Sequence, residues 1–258
     1  MTGVGQLIAA LEPVEGGWRG AIPDNWLQGR TAYGGLSTAL ALHAAQVSDA
    51  DLPPLRSAQV SFIGPLAGTV TIRATRLRRG RNAAYVQADV ESEAGLGLRA
   101  TFVFMRDLPS RIDRVVGAAP AFPPPTPDTR VFRGPKAVAF TQNFELLDCR
   151  DERVGPAEWL RWVRLTDREG LDPAVELVVI ADCLPPVALK LLGGPAPVSS
   201  MTWLLNLLDP APRTADGWWL LRADSDHVRA GSSSQRMAIW NSDGTAIAEQ
   251  MQHVAVFA

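Results

Sequence analysis

The stretch GGLSTALALHAAQV (34–47) decides the fold, because four strand-like runs follow this apolar segment and the chain then repeats the same order. In the first copy the runs read SAQVSFI, TVTIRATRL, AAYVQADVE and LGLRATFVFM (57–105). In residues 175–258 the apolar segment VELVVIADCLPPVALKLL precedes VSSMTWLLNLL, WWLLRADSD, SSQRMAIW and TAIAEQMQHVAVF. Such a duplication predicts two similar units that bury a face against each other.

The two copies keep a nearly constant separation along the chain. The matched positions are Ser57 with Ser200 at 143 residues, Gly80 with Gly231 at 151, and Gly95 with Gly244 at 149. The shift falls where the second copy has the longer turn, 209–217 against 64–68, and surface turns accept insertions readily.

Each copy predicts an antiparallel sheet that curls around one helix. The segment 35–47 is apolar on nearly all sides, which is typical of a helix buried all round. The run TVTIRATRL alternates polar and apolar side chains, as a strand does when one face is buried and the other is wet.

A proline-rich segment, APAFPPPTPDTR (119–130), separates the copies. Proline removes a backbone donor and fixes φ, so this segment predicts a linker with neither helix nor ladder hydrogen bonds. The predicted division is an N-terminal unit at 1–118, the linker at 119–130 and a C-terminal unit at 131–258.

Composition is typical of a globular chain: 258 residues, 47% hydrophobic and 20% charged, with a net charge of −2. We therefore expect neither a nucleic-acid nor a membrane partner. Two cysteines, Cys149 and Cys183, are too few for a disulfide framework, and the N-terminus lacks the basic region of a secretory signal. A cytoplasmic location is expected.

Familiar catalytic motifs are absent. The segment 35–39, GLSTA, lacks the final glycine of a nucleophile elbow, and no phosphate-binding glycine loop occurs. The histidines are too scattered for a metal site, so neither a metal nor a cofactor is expected, and His43 is interpreted as a core or helix-edge residue.

Gly34 and Gly35 open the first buried helix and have two interpretations. Glycines let a ligand approach the backbone, and the free N–H groups of a first helical turn favour an anion or a polarised carbonyl oxygen. The alternative is a tight turn from loop to helix, and the sequence leaves both open.

Asp182 is the strongest candidate for chemistry, because an ionised carboxylate in an apolar segment needs hydrogen bonds or a partner. One interpretation is that it caps backbone groups freed by Pro185 and Pro186, which should end or kink the helix. The other is a general base that orients water. Ser200 and Gln252 could share its pocket, although each alone would ordinarily be a solvated strand residue.

Subtracting the repeat offset indicates a single site. Asp182 falls against Ala39 and Gln252 falls near Val103, so the first copy lacks both groups.

Two further groups are interpreted as structural. Arginines surround the turn at Gly80, and a solvated hairpin is favoured there over a phosphate contact. Four tryptophans of the second copy are expected to pack in the core or an interface. The residues are Arg76, Arg78, Arg79 and Arg81, and Trp203, Trp218, Trp219 and Trp240.

The segments WLQGRTAYGGLSTALAL, IADCLPP and DGTAIAEQMQHVAVF resemble the TesB-like, or thioesterase II, acyl-CoA thioesterases over nearly the whole chain. The resemblance implies an α+β double hotdog: two antiparallel sheets, each wrapped around a central helix, fused into one pseudo-dimeric unit. It implies an acyl thioester bound between the units and a water activated by Asp182, Ser200 and Gln252. Better-known members carry Thr and Asp where this chain has Ser200 and Thr202, which leaves substrate choice open.

The function expected from this resemblance is hydrolysis of acyl-CoA thioesters, with Gly34 and Gly35 as the oxyanion and substrate-binding residues. An acyl-CoA substrate is the expected partner, and a dimer of double hotdogs is the expected assembly. The alternative is a non-catalytic acyl or acyl-CoA binding protein. A hotdog hydratase ranks last, because that chemistry needs a paired histidine and none lies near Asp182 in the sequence.

Overall fold

The computed structural model describes residues 1–115, 117–194 and 196–257. Its helices are α1 (Val4–Ala9), α2 (Gly34–Val47), α3 (Pro173–Ala181) and α4 (Val187–Leu192). Its strands are β1 (Glu12–Val14), β2 (Gly17–Ile22), β3 (Leu27–Gln28), β4 (Thr31–Ala32), β5 (Leu55–Phe62), β6 (Gly68–Arg79), β7 (Ala83–Ser92), β8 (Gly95–Met105), β9 (Phe144–Asp148), β10 (Glu158–Leu165), β11 (Val198–Leu207), β12 (Trp219–Arg229), β13 (Ser232–Asn241) and β14 (Ala246–Val256).

Twelve strands form one antiparallel sheet in the order β1-β2-β6-β7-β8-β5-β11-β14-β13-β12-β10-β9. The first six come from the first copy and the last six from the second, in mirrored order. The expected α+β class is confirmed. Each copy contributes its own six-stranded sheet, and the two are joined edge to edge through β5 and β11 into the single twelve-stranded sheet. The backbone hydrogen bonds therefore run without a break from one copy to the other.

An approximate twofold axis passes through the joint between the copies. Val60 of β5 pairs with Trp203 of β11, and these residues are 143 positions apart. The same 143 residues separate Ser57 from Ser200. The pair therefore maps onto itself when the copies are exchanged, which places the axis beside it.

Helix α2 is buried as its apolar composition predicts. Residues 35–42 are all buried, and the helix contacts α3 and the inner faces of β6, β7 and β8. Around its N-terminus Tyr33 stacks on Phe140 with ring centroids 4.3 Å apart, and Phe144 packs edge-on against both rings. Phe140 and Phe144 belong to the second copy, so aromatic packing fixes the start of α2 against the other half of the chain.

The second apolar segment is broken at its prolines, as predicted. Helix α3 starts with Pro173 at its first position, and the Asp172 side chain accepts hydrogen bonds from the Ala174 and Val175 amides. It ends at Ala181, and α4 begins only after Pro186. Asp182 is therefore the C-terminal cap of α3.

The proline-rich segment lies along the outer face of the second copy and has no helix or strand among its described residues. The Phe122 carbonyl accepts a hydrogen bond from Trp162 Nε1 at 3.1 Å, and the Gly117 carbonyl accepts one from Trp240 Nε1 at 2.9 Å. These contacts cover a tryptophan-rich cluster on that face. The boundaries 1–118, 119–130 and 131–258 stay a prediction.

Sequence reasoning missed the elements before α2. Strands β1 and β2 extend the first half of the sheet as β9 and β10 extend the second, so the Trp-rich run EWLRWVRL (158–165) has a structural counterpart at 17–22. The short run GWRGAI has too little alternation and too many glycines to predict a strand. No helix in the described part of the chain is long and apolar enough to cross a membrane.

Candidate active site

Asp182 lies where the end of α3 meets the beginning of α2. Solvent reaches part of the residue, but protein atoms crowd its carboxyl group. Burial raises the pKa of this carboxyl to about 7, while hydrogen bonds from Gln252 and from the Gly35 amide oppose the rise. A carboxyl with this pKa exchanges protons near neutrality and is suited to act as a general base.

Gln252 is the side-chain partner of Asp182. Its Nε2 donates a 2.8 Å hydrogen bond to Asp182 Oδ1. The residue is 2% exposed and projects from β14 to the inner face of the sheet, opposite Trp203. The structure thus brings together two residues that are 70 positions apart in the sequence.

Gly34 and Gly35 meet the same carboxyl from the first copy. A Cβ on Gly34 would lie 2.6 Å from Asp182 Oδ2 and 2.9 Å from the Phe62 ring, so no larger residue fits without displacement. The Gly35 N–H donates to the carboxyl and lowers its pKa. The glycines form the turn into α2 and leave room for the Asp182 carboxyl at the helix start. Binding of a substrate oxygen by these glycines stays a prediction.

The capping interpretation of Asp182 is not what the carboxyl contacts indicate. Its hydrogen bonds go to Gln252 on β14 and to Gly35 on α2. Within the described residues it has none to the backbone of 183–187, the segment loosened by the prolines. The carboxyl is thus held by groups distant in sequence, as a site residue would be.

Ser200 lies near this pair without bonding to it. It is opposite Val254 across a β-bulge in β11, so it shares the inner face with Gln252, two positions away along β14. Among the described residues its hydroxyl makes no hydrogen bond with either Asp182 or Gln252. Thr202, in contrast, is exposed on the outer face.

Two family models match the chain in succession. The acyl-CoA thioesterase N-terminal domain matches residues 22–105, and the acyl-CoA thioesterase C-terminal domain matches residues 107–256. The chain belongs to the acyl-CoA thioesterase family. The predicted resemblance is therefore confirmed, and thioester hydrolysis is the general activity that the family supports.

Solved structures show that this thioesterase has the hotdog fold. A hot dog fold protein of unknown function from Alicyclobacillus acidocaldarius has a TM-score of 0.89 and 24% identity, covering 100% of this chain and 99% of its own. The tesB protein of Mycobacterium avium subsp. paratuberculosis has a TM-score of 0.77 and 19% identity, covering 99% of both chains. The acyl-CoA thioesterase II TesB2 of Mycobacterium marinum has a TM-score of 0.73 and 18% identity, covering 98% of this chain and 96% of its own. Among curated proteins, none matches.

Sequence reasoning missed two residues of this candidate site. Tyr33, fully buried at the N-terminal cap of α2, donates a 2.7 Å hydrogen bond from its hydroxyl to the Val179 carbonyl. Burial raises the pKa of Tyr33, and the nearby Asp182 and Cys183 raise it further. Its position directly before Gly34 in AYGG was the available signal.

Gln235 is the second missed residue. It is fully buried on β13, and its Nε2 donates a 2.8 Å hydrogen bond to Gln252 Oε1. Its alternation with the apolar Met237 and Ile239 in SSQRMAIW marks it as an inward-facing polar residue, which was the signal available in the sequence.

The thioesterase has no counterpart of the glutamine pair in its first copy. Val60 pairs with Ala100 as Trp203 pairs with Gln252, so Ala100 occupies the equivalent position. The expectation that Gln252 matches Val103 was wrong by three residues, because the turn glycines used for the offset do not share the strand register. Ala88 pairs with Ala100 as Gln235 pairs with Gln252, so it is the counterpart of Gln235.

Aligning the two copies by the starts of α2 and α3 also changes which residue of the first copy corresponds to Asp182. The N-terminal caps Tyr33 and Asp172 are 139 residues apart, so Asp182 corresponds to His43 rather than to Ala39. His43 is half-buried, and burial lowers its pKa while Asp172 opposes this. Neither counterpart is a carboxylate, which agrees with the expectation of a single site.

The remaining candidates lie away from the Asp182 carboxyl or pack in the core. Arg76 and Arg79 contact Asp49 at 3.4 Å, and Arg79 also donates to the Asp51 carbonyl. All four tryptophans named above are at most 6% exposed. Two surface cavities of about 430 and 670 Å³ lie beside the proline-rich segment and the residues that follow it, and Asp182 lines neither. Among the described residues, no group of three or more histidine, cysteine or acidic side chains is placed to hold a metal ion.

Proposed function

We propose that this protein hydrolyses acyl-CoA thioesters to a free acid and CoA, with Asp182 as the general base for the attacking water. One observation carries the proposal: a carboxyl with a pKa of about 7 is held between Gln252 and the start of α2. At neutral pH this carboxyl is about half ionised, so it can accept a proton and return it within one turnover.

In the proposed reaction the water oxygen attacks the thioester carbonyl carbon while Asp182 takes a proton from that water. The tetrahedral intermediate then collapses and the C–S bond breaks. The thiolate of CoA leaves with the electron pair of that bond and accepts the proton from Asp182. These reaction steps need no covalent enzyme intermediate, and the Asp182 carboxyl is ionised again at the end.

Three neighbouring groups have supporting roles in this proposal. Gln252 holds the carboxylate through Nε2, and Ser200, on the same face of the sheet, orients the water from its other side. The first-turn N–H groups at Gly34 and Gly35 have no intrahelical acceptor, so they are suited to stabilise the oxyanion of the intermediate. The Gly35 N–H donates to the Asp182 carboxyl. Oxyanion binding would require this N–H to be shared between the carboxyl and the oxyanion.

The test is release of free thiol from acyl-CoAs of several chain lengths. Asp182→Asn keeps the shape of the side chain and removes the base, so hydrolysis should fall at least a thousandfold. Asp172→Asn, at the opposite end of α3, is the matched control, because asparagine also caps helices and activity should be unchanged.

Undiminished hydrolysis by Asp182→Asn would overturn the proposal. Binding of acyl-CoA to the unaltered protein without thiol release would instead support a binding protein. A cytoplasmic location and a place in fatty acid metabolism are part of this proposal.

A further inference from the structure

We propose that Gln235 is a positioning residue, which fixes the side-chain amide of Gln252 so that its N–H, and not its carbonyl, faces Asp182. The predicted effect on turnover rests on the proposed function. The hydrogen bonds that position Gln252 are present in the fold whatever reaction is catalysed.

Three hydrogen bonds form a continuous line through the inner layer of the second copy. The Val187 N–H donates to Gln235 Oε1 at 3.1 Å. Gln235 Nε2 donates to Gln252 Oε1 at 2.8 Å, and Gln252 Nε2 donates to Asp182 Oδ1 at 2.8 Å. The line connects the first turn of α4 with the carboxyl at the end of α3.

The two ends of this line fix its direction. A backbone N–H can only donate, so Gln235 must present its oxygen to Val187 and its nitrogen to Gln252. An ionised carboxylate can only accept, so Gln252 must present its nitrogen to Asp182. Each glutamine therefore has one satisfactory orientation, and a flip of either amide would place two acceptors or two donors face to face.

Because Gln235 is buried, its side-chain amide is held in this one orientation. The residue is 0% exposed and Gln252 is 2% exposed, so water cannot replace a lost partner. The second hydrogen of the Gln235 amide is directed at Met237 Sδ, 3.4 Å away. All of its hydrogen-bonding groups are thus used, which is the condition under which a buried polar network specifies one arrangement.

Comparison of the two copies supports the same assignment. The positions equivalent to Gln235 and Gln252 are Ala88 and Ala100, and both alanines are fully buried. A buried polar pair is costly and appears only in the copy that has the carboxyl. The two glutamines therefore act as a unit that serves Asp182.

Loss of the Gln235 amide should change the acidity of Asp182. The hydrogen bond from Gln252 favours the ionised carboxyl, so weakening it raises the pKa further. The titratable neighbours of Asp182 are Tyr33, before α2, and Cys183, next to it in the chain; burial raises the pKa of both, to about 12 for Cys183. Arg161 of β10 is the charged group that acts on Cys183. With their raised pKa values, neither Tyr33 nor Cys183 titrates between pH 5 and 9.

The experiment reads this acidity directly, by ¹³C NMR titration of protein labelled at its aspartate carboxyls, with the Asp182 signal identified by its loss in Asp182→Asn. Gln235→Met keeps a similar volume and removes the amide. We expect the Asp182 pKa to rise by about one unit, which lowers its ionised fraction about tenfold at pH 6. Thioester hydrolysis should fall about tenfold at pH 6 and stay within about twofold of the unaltered protein at pH 9.

A second pair of variants tests the line without altering Gln235. Val187→Pro removes the N–H at the first position of α4, where proline is accepted, whereas Val187→Ala trims the side chain and keeps the N–H. The proline variant should shift the Asp182 pKa in the same direction as Gln235→Met, and the alanine variant should not. Gln59→Met, on the exposed outer face of β5, is the control for the substitution itself.

An unchanged Asp182 pKa in folded Gln235→Met, or equal shifts in both Val187 variants, would overturn the proposal. The NMR readout does not depend on turnover. If Asp182→Asn hydrolysed thioesters normally, the proposed function would fail while the titration would still decide the role of Gln235.

Discussion

The hydroxyl of Tyr33 satisfies the backbone carbonyl of Val179 at 2.7 Å, and this hydrogen bond joins the two copies beside the carboxyl. The Cys183 N–H, which would donate to the Val179 carbonyl in a longer helix, donates to the Ile180 carbonyl instead. The tyrosine thus completes the last turn of α3 from outside the helix. Because Asp182 is the residue that directly follows this turn, Tyr33 also fixes where its carboxyl lies.

Removing this hydroxyl should destabilise the fold. In Tyr33→Phe the buried Val179 carbonyl loses its partner, which costs about 1–3 kcal/mol of unfolding free energy. Urea unfolding followed by tryptophan fluorescence measures the change. Tyr85, the other tyrosine of the chain, is 41% exposed, so Tyr85→Phe is the matched control. Equal stability of both variants would contradict the assigned role.

Turnover should depend on pH through Asp182. Because the base must be ionised, and because burial raises its pKa to about 7, kcat/KM should rise about tenfold per pH unit below pH 6 and level off above pH 8. Initial rates of thiol release between pH 5 and 9 measure this limb. A rate of thiol release that does not change between pH 5 and 9 would contradict control of the reaction by a carboxyl with this raised pKa.

The same pKa shift predicts that Asp182 destabilises the fold at high pH. The carboxyl ionises less readily in the folded state than in the unfolded chain, so stability is lost as pH rises from about 4 to about 7. Asp182→Asn should therefore be the more stable protein at pH 8, by on the order of 4 kcal/mol, with a smaller gain at pH 5. Urea unfolding at both pH values measures this. A gain independent of pH would be inconsistent with the shift.

The space beside Gly34 should be needed for activity more than for stability. In Gly34→Ala the new methyl group would displace the Asp182 carboxyl and the Phe62 ring, so kcat should fall at least tenfold. Alanine is the better helix former by up to about 1 kcal/mol, which offsets part of the strain in unfolding. Gly194→Ala, where no atom lies within 4 Å, is the control and should leave both properties unchanged.

The hydroxyl of Ser200 should matter only when substrate and water are bound, because it has no hydrogen bond to Asp182 in the fold. Ser200→Ala should lower kcat about tenfold with little change in KM or stability. Ser199→Ala, on the exposed neighbouring residue, should be neutral. If the two variants have the same kcat, Ser200 takes no part in positioning the water.

The sequence was sufficient to predict most of the fold, and it singled out Asp182 as the candidate site carboxyl. The repeated order of helix and strands gave eight strands and both helices, since periodicity records which face of each element is buried. Asp182 stood out because a charge inside an apolar run needs an explanation. Strand β1 was missed because it is only three residues long, and β2 because it is short and contains two glycines.

The contacts of the site were beyond sequence reasoning. Gln235 and Tyr33 contact residues 17 and 146 positions away, and such contacts depend on strand register and helix packing. Register also explains the wrong counterpart of Gln252. Gly95 is the first residue of β8 and lies five residues before Ala100, whereas Gly244 lies in the turn before β14, eight residues before Gln252.

The joint between β5 and β11 has a consequence for how such a site can evolve. In a symmetric pair of identical chains, any substitution appears twice, and every enclosed amide or acid must be accommodated on both sides of the axis. A single polypeptide that contains both units is free of that constraint. One unit here keeps small methyl side chains where the other keeps its glutamines, so the energetic penalty of a polar interior is borne on one side alone.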